Sequence, residues 1–158
     1  MWFNIAELQL TTLLAVVLKQ RDFPKFDLLA QGMDARVKCE RLRRACKRYC
    51  PMGERFKAGL RYFEDNSVPL RNKLSHSWPI CFDPADDPLV HLATIGHWLP
   101  RSPIKGDPAQ SIHIDDLLRE ALWLNDYANV VLKATDALID GKPLEIADPN
   151  FRLPKEAL

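Results

Sequence analysis

Apolar residues recur every three or four positions in four separate stretches of this chain, and proline or glycine closes most of them. That period matches the 3.6-residue turn of an α-helix and leaves each stretch with one face that must be buried. Ile5, Leu8, Thr12, Ala15 and Val16 continue one stripe, and Asn4 followed by Glu7 forms a variant capping pair. A first helix is therefore predicted from about Asn4 to Lys19. A short helical turn over 24–30 ends at Gly32. Ala35, Cys39, Leu42, Cys46 and Tyr49 then follow at spacings of four, three, four and three, a second long helix stopped by Pro51 and Gly53. Phe56, Leu60, Phe63, Leu70 and Leu74 give a third stripe. Pro69 must kink or divide it, because proline lacks the backbone donor and its ring meets the preceding turn. Leu117, Ala121, Leu124, Ala128, Val131 and Leu138 mark a last long helix, closed by Gly141 and Pro143.

Segment 79–110 holds six of the twelve prolines and reads as irregular, with 89–95 and 112–114 as short strands. Three or four long helices with one such interruption predict a mainly α fold. The expected architecture is an antiparallel helical bundle with an irregular or small β-hairpin excursion before the last long helix. Residues 1–143 form its single domain, and 144–158 are expected as a C-terminal surface tail. A length of 158 residues with 47% hydrophobic content suits one domain with a real core. The longest apolar run, 8–18, is broken by Gln9, Thr11 and Thr12 and is preceded by Glu7. It is too short to span a bilayer and has the wrong flanks for a signal peptide, so a cytoplasmic protein with no membrane contact is expected.

No metal site and no cofactor are predicted. Cys39, Cys46, Cys50 and Cys81 contain no Cys-x-x-Cys pair and read as reduced, packed thiols; Cys46 and Cys50 share a helical face without nearby histidine or acidic ligands. His91, His97 and His113 read as solvent-facing or packed residues, and Asp83, Asp86 and Asp87 lack the calcium-loop pattern.

Charge is distributed unevenly. Twelve Lys and Arg stand against four acids from Arg36 to Lys73, a balance of +8 that leaves −7 for the rest of a chain whose net charge is +1. A concentrated positive surface can steer an anionic ligand such as RNA. The same charges would also suit a solvated helix face paired with the acidic C-terminal half.

This basic segment ends in Arg71-Asn72-Lys73-Leu74-Ser75-His76. An arginine can neutralise a phosphate through two parallel hydrogen bonds, and histidine is suited to moving protons near neutral pH. On a helix Asn72 and His76 are neighbours four residues apart, so the amide could fix the tautomer of the imidazole. Arg71 and His76, five apart, are separated by about 140° around a regular helix. Either the helix ends inside the motif or two copies meet at a twofold axis. With RNA bound, the ribose 2′-hydroxyl supplies the nucleophile, His76 handles the proton and Arg71 stabilises the phosphorane oxygens, giving 2′,3′-cyclic phosphate and 5′-hydroxyl ends.

The run resembles the motif of the HEPN family (higher eukaryotes and prokaryotes nucleotide-binding), Arg-x(4 to 6)-His with a polar residue after the arginine on an all-helical bundle. The resemblance implies a metal-independent endoribonuclease of toxin–antitoxin or defence systems. It implies a homodimer through the motif-bearing helices, with an antitoxin or regulatory protein as a further partner. Arg71, Asn72 and His76 are then the expected catalytic residues, and Lys73, Ser75 and Trp78 the expected RNA-binding residues. In the subgroup paired with a nucleotidyltransferase antitoxin the motif extends to a tyrosine that is modified. Trp78 stands at that position here and has no hydroxyl. The alternative is a catalytically inactive nucleotide- or RNA-binding or dimeric interaction module, in which the same arginine and histidine satisfy carbonyls at a helix C-terminus.

Overall fold

The computed structural model describes residues 1–75, 77–81, 89–94, 111–148 and 150–152, with backbone alone for 77–81, 91, 93 and 94. His76, Asp83, Asp86, Asp87 and His97 lie outside the described residues, as do the side chains of Trp78, Cys81 and His91.

The chain is mainly helical. Its helices are α1 (Trp2–Val17), α2 (Phe23–Gln31), α3 (Ala35–Tyr49), α4 (Glu54–Tyr62), α5 (Val68–Ser75) and α6 (Ile114–Ile139), and a π-helical turn, Phe63–Ser67, joins α4 to α5. The strands β1 (Ser77–Cys81), β2 (Leu89–Thr94) and β3 (Ile112–His113) form a small antiparallel sheet in the order β1-β2-β3 before the last helix. The irregular stretch read from sequence as starting at Pro79 instead opens in an edge strand, β1, the position in a sheet that tolerates such a proline. No helix among the described residues is long and apolar enough to cross a membrane.

Local chemistry sets the helix ends. Asp22 and Asp34 accept hydrogen bonds from the backbone N–H of Lys25 and Val37, at 3.1 and 2.8 Å, and so cap α2 and α3. His113 caps α6 in the same way, accepting from the Asp115 N–H at 3.2 Å, and Asp115 and Asp116 place negative charge at that helix's positive end. Gly141, at φ +79°, turns the chain out of α6. The capping role expected of Asn4 does not occur: α1 begins at Trp2, Asn4 lies inside it, and Glu7 pairs instead with Lys38 on α3. Burial of Phe3, whose ring stacks on Phe63 at 5.1 Å, extends the helix toward the N-terminus.

α1 packs against both α3 and α6 and forms the centre of the bundle. Leu10, Leu13, Leu14, Cys39, Leu42 and Val131 of these helices are buried in one core with Phe56 and Leu60 of α4. A ladder of rings continues the core, from Phe63 to Tyr127 at 5.8 Å and from Tyr127 to Trp123 at 4.8 Å. Each large apolar side chain buried in this way contributes roughly 1.5–3 kcal/mol. Tyr49, predicted on the buried stripe of α3, is 54% exposed, whereas Cys46 in the same turn is buried.

The segment after α6 does not lie along the surface as expected. Leu144, Ile146 and Phe151 are buried, the Gly53 N–H donates to the Leu144 carbonyl at 2.9 Å, and Arg55 donates to the carbonyls of Asp148 and Phe151 at 3.3 and 2.6 Å. Three apolar side chains with somewhere to go outweigh the polar character of the residues between them. Positions 153–158 lie outside the described residues.

Candidate functional site

Pro69 shapes the region that carries the motif. It has no N–H, and in a regular helix its ring would meet the carbonyl four residues back. The π turn widens the helix immediately before it, and the Val68 N–H donates to the Phe63 carbonyl five residues earlier. One extra residue in a turn rotates everything downstream by about 100°. The stripe predicted from Phe56 therefore does not continue as drawn: Ser67 and Val68 are buried, Leu70 is half-buried, and Leu74 is 36% exposed.

The rotation brings Ser67 to Glu120 of α6. Glu120 is only 8% exposed, and its carboxylate accepts from the Ser67 hydroxyl and, at 2.8 Å, from the Tyr62 hydroxyl. This buried polar cluster was missed from the sequence. Its one cue was an acid placed among Leu117, Ala121, Trp123 and Leu124, on the apolar side of α6.

Arg71 and Asn72 are exposed side by side on α5. Arg71 Nη1 donates to Asn72 Oδ1 at 3.0 Å, and the guanidinium carbon lies 5.6 Å from the centre of the Phe3 ring. Hydrogen bond and cation–π contact together hold the guanidinium in place without neutralising it. No carboxylate pairs with Arg71 among the described residues. Asn72 thus meets Arg71; the pairing of Asn72 with His76 expected from sequence lies outside the described residues. α5 ends at Ser75 and β1 begins at Ser77, so the regular helix carrying Arg71 ends within the motif.

Arg71 borders two clefts. One, of about 920 Å³, lies between α1, α5 and the start of α3, and Asn72, Glu7, Arg36 and Lys38 also line it. The other, of about 470 Å³, has Ser75, Ser67 and Glu120 among its lining, with Trp2, Leu74 and Leu117 as apolar walls. Of the expected RNA-binding residues, Ser75 is exposed and lines this second cleft, whereas Lys73 is half-buried and lines neither. The side chain of Trp78 lies outside the described residues.

The basic segment does not converge on Arg71. Lys38, 8% exposed, donates to Glu7 at 2.7 Å, so the larger cleft has mixed charge. Arg43 binds Glu64 through both guanidinium nitrogens, Arg44 pairs with Glu40, and Lys57 pairs with Glu54 at 2.5 Å. Among the described residues this pairing stays largely within the segment, and the acidic C-terminal half supplies no carboxylate to it. Lys47, Arg48 and Arg61 are exposed without an ion pair among the described residues.

Cys39, Cys46 and Cys50 are free, and the first two are buried. Burial, with Glu64 nearby, pushes the Cys39 thiol from 9.0 up to about 12, and burial together with Cys50 pushes Cys46 well up. Both are held protonated and unreactive at neutral pH. Among the described residues no group of three His, Cys, Asp or Glu side chains could hold a metal ion. Compared with protein-family models, curated proteins and solved structures, the chain matches none of them.

Proposed function

We propose that this protein is an RNA-binding HEPN-like protein that cleaves RNA without a metal, with Arg71, Asn72 and His76 as its catalytic set. One observation carries the reading. Arg71 is exposed, fixed by Phe3 and Asn72, and unpaired with any carboxylate among the described residues, at the point where its helix ends. A guanidinium oriented in advance and left un-neutralised suits charge that develops on a phosphorane. In the reaction the 2′-oxygen bonds to phosphorus and the bond to the 5′-oxygen breaks. His76 takes the proton from the 2′-hydroxyl, and the departing 5′-oxygen takes one from water. The Asn72 Oδ1 holds Arg71, leaving its amide nitrogen to donate to phosphate or imidazole.

A homodimer through the motif-bearing helices is part of this reading. Met1 at 86%, Trp2 at 37% and Leu74 at 36% exposure line the second cleft, and a second copy would cover such an apolar rim. A role in a toxin or defence system, restrained by an antitoxin or regulatory protein, follows from the same family reading.

The test is incubation of the protein, His76→Ala and Arg71→Ala with labelled single-stranded RNA in excess EDTA, resolving fragment ends. Cleavage to 2′,3′-cyclic ends is expected from the wild type, with loss in His76→Ala and a fall of roughly a hundredfold or more in Arg71→Ala. RNA that is bound but intact in all three samples would replace the enzyme with a noncatalytic binding module.

A further inference from the structure

A second cluster of positive charge lies at the C-terminal end of α3, in a cleft that Arg71 does not line. Arg43, Lys47, Arg48, Lys57 and Arg61 line a cleft of about 770 Å³ between the C-terminal half of α3 and α4, and no acidic residue lines it. Arg43 and Lys57 are partly compensated by Glu64 and Glu54; Lys47, Arg48 and Arg61 have no such partner among the described residues. Tyr49 lies in the same lining, 54% exposed, with the Arg48 guanidinium carbon 5.6 Å from its ring centre. Two cations in the last turn of α3 would offset that helix's terminal carbonyls. Arg61 has no helix end to offset, because α4 continues directly into the π turn. Clustered cations beside an open aromatic face are the elements of a single-strand platform, in which phosphates meet the charges and a base stacks on the ring.

We propose that this cleft is a second contact surface for single-stranded RNA, holding the strand while Arg71 engages the scissile phosphate. The proposal rests on the RNA reading of the Arg71 site. Arg36 and Lys38 at the start of α3 border the Arg71 cleft, and Lys47 and Arg48 border this one. Along α3 these residues are 9 to 12 positions apart, about 14–18 Å, so only a strand of several nucleotides reaches both.

The experiment measures binding of labelled 2′-O-methyl RNA, which lacks the attacking hydroxyl and so reports binding apart from cleavage. Oligonucleotides of three and twelve residues are titrated by fluorescence anisotropy across a range of salt concentrations. Wild-type protein is expected to bind the longer strand more tightly. The triple variant Lys47→Ala, Arg48→Ala, Arg61→Ala should lose at least tenfold on that strand and little on the shorter one. Its salt slope should fall by about 2, the share of three phosphate contacts on a single strand. Tyr49→Ala should cost about tenfold on the longer strand. If the triple variant melts early, Lys→Gln and Arg→Gln replacements keep the stems and remove only the charge. A neutralised cleft that binds the longer strand with wild-type affinity and salt slope overturns the proposal, as does wild-type protein that binds neither strand. Intact cleavage of unmodified RNA beside the first of these results would sink this surface alone. Absent cleavage beside a charge-sensitive strand would instead sink the catalytic reading alone.

Discussion

At the start of α3, Lys38 is 8% exposed and its ammonium lies 2.7 Å from Glu7 of α1; nine residues later, Lys47 and Arg48 stand in solvent without a carboxylate partner among the described residues. The residue type is the same and the helix is the same. What differs is whether another helix lies over that position. α1 packs on α3 and its Glu7 supplies a carboxylate to Lys38, which turns a buried cation into part of the scaffold. In the second half Ala45 and Cys46 are buried while Lys47 and Arg48 lie on the exposed face, where their charges remain available to a ligand.

The largest expected effect comes from breaking the buried end. Lys38→Met leaves Glu7, about one-fifth exposed, facing a partly apolar site, and should cost roughly 2–3 kcal/mol in urea denaturation. Adding Glu7→Leu should restore most of that, since a pair removed together leaves no stranded charge. A single variant as stable as wild type would mean that Lys38 is no more structural than Lys47.

A middle-sized effect tests the burial of the same helix through Cys39. Its folded pKa is raised from 9.0 to about 12, so the associated stability is fully present below pH 9 and is lost as the pH rises toward 12. Wild-type stability should therefore fall more steeply across that window than that of Cys39→Ala, by up to about 1.4 kcal/mol per pH unit. Equal slopes would place the thiol in contact with water.

The smallest effect belongs to the exposed end. Lys47→Ala and Arg48→Ala should each shift stability by less than about 0.5 kcal/mol in the same denaturation assay. A larger loss would assign these cations to the fold rather than to a ligand.

Legibility in the sequence followed the range of the forces involved. The helices α3 and α6 were read closely because a 3.6-residue period and stops such as Pro51 and Gly141 act over a few neighbours. The effect of Pro69 was foreseen in kind, as an interruption, and not in form. Choosing a π turn depends on the reward of packing Phe63 and Ser67 against α1 and α6, which local sequence does not contain. The adjacency of Arg71 and Asn72 was equally plain, yet their hydrogen bond and the Phe3 ring beneath the arginine required α1 to pass under α5.

By itself the sequence determined a helical bundle with a small strand excursion before the last helix, and a basic segment ending in Arg71. The tertiary structure alone decided that Glu7 neutralises Lys38 across 31 residues, that Glu120 receives Ser67 across 53, and that five cations of α3 and α4 share one cleft. Periodicity is written in neighbouring residues, whereas charge pairing is fixed by which helices pack together and where each one stops.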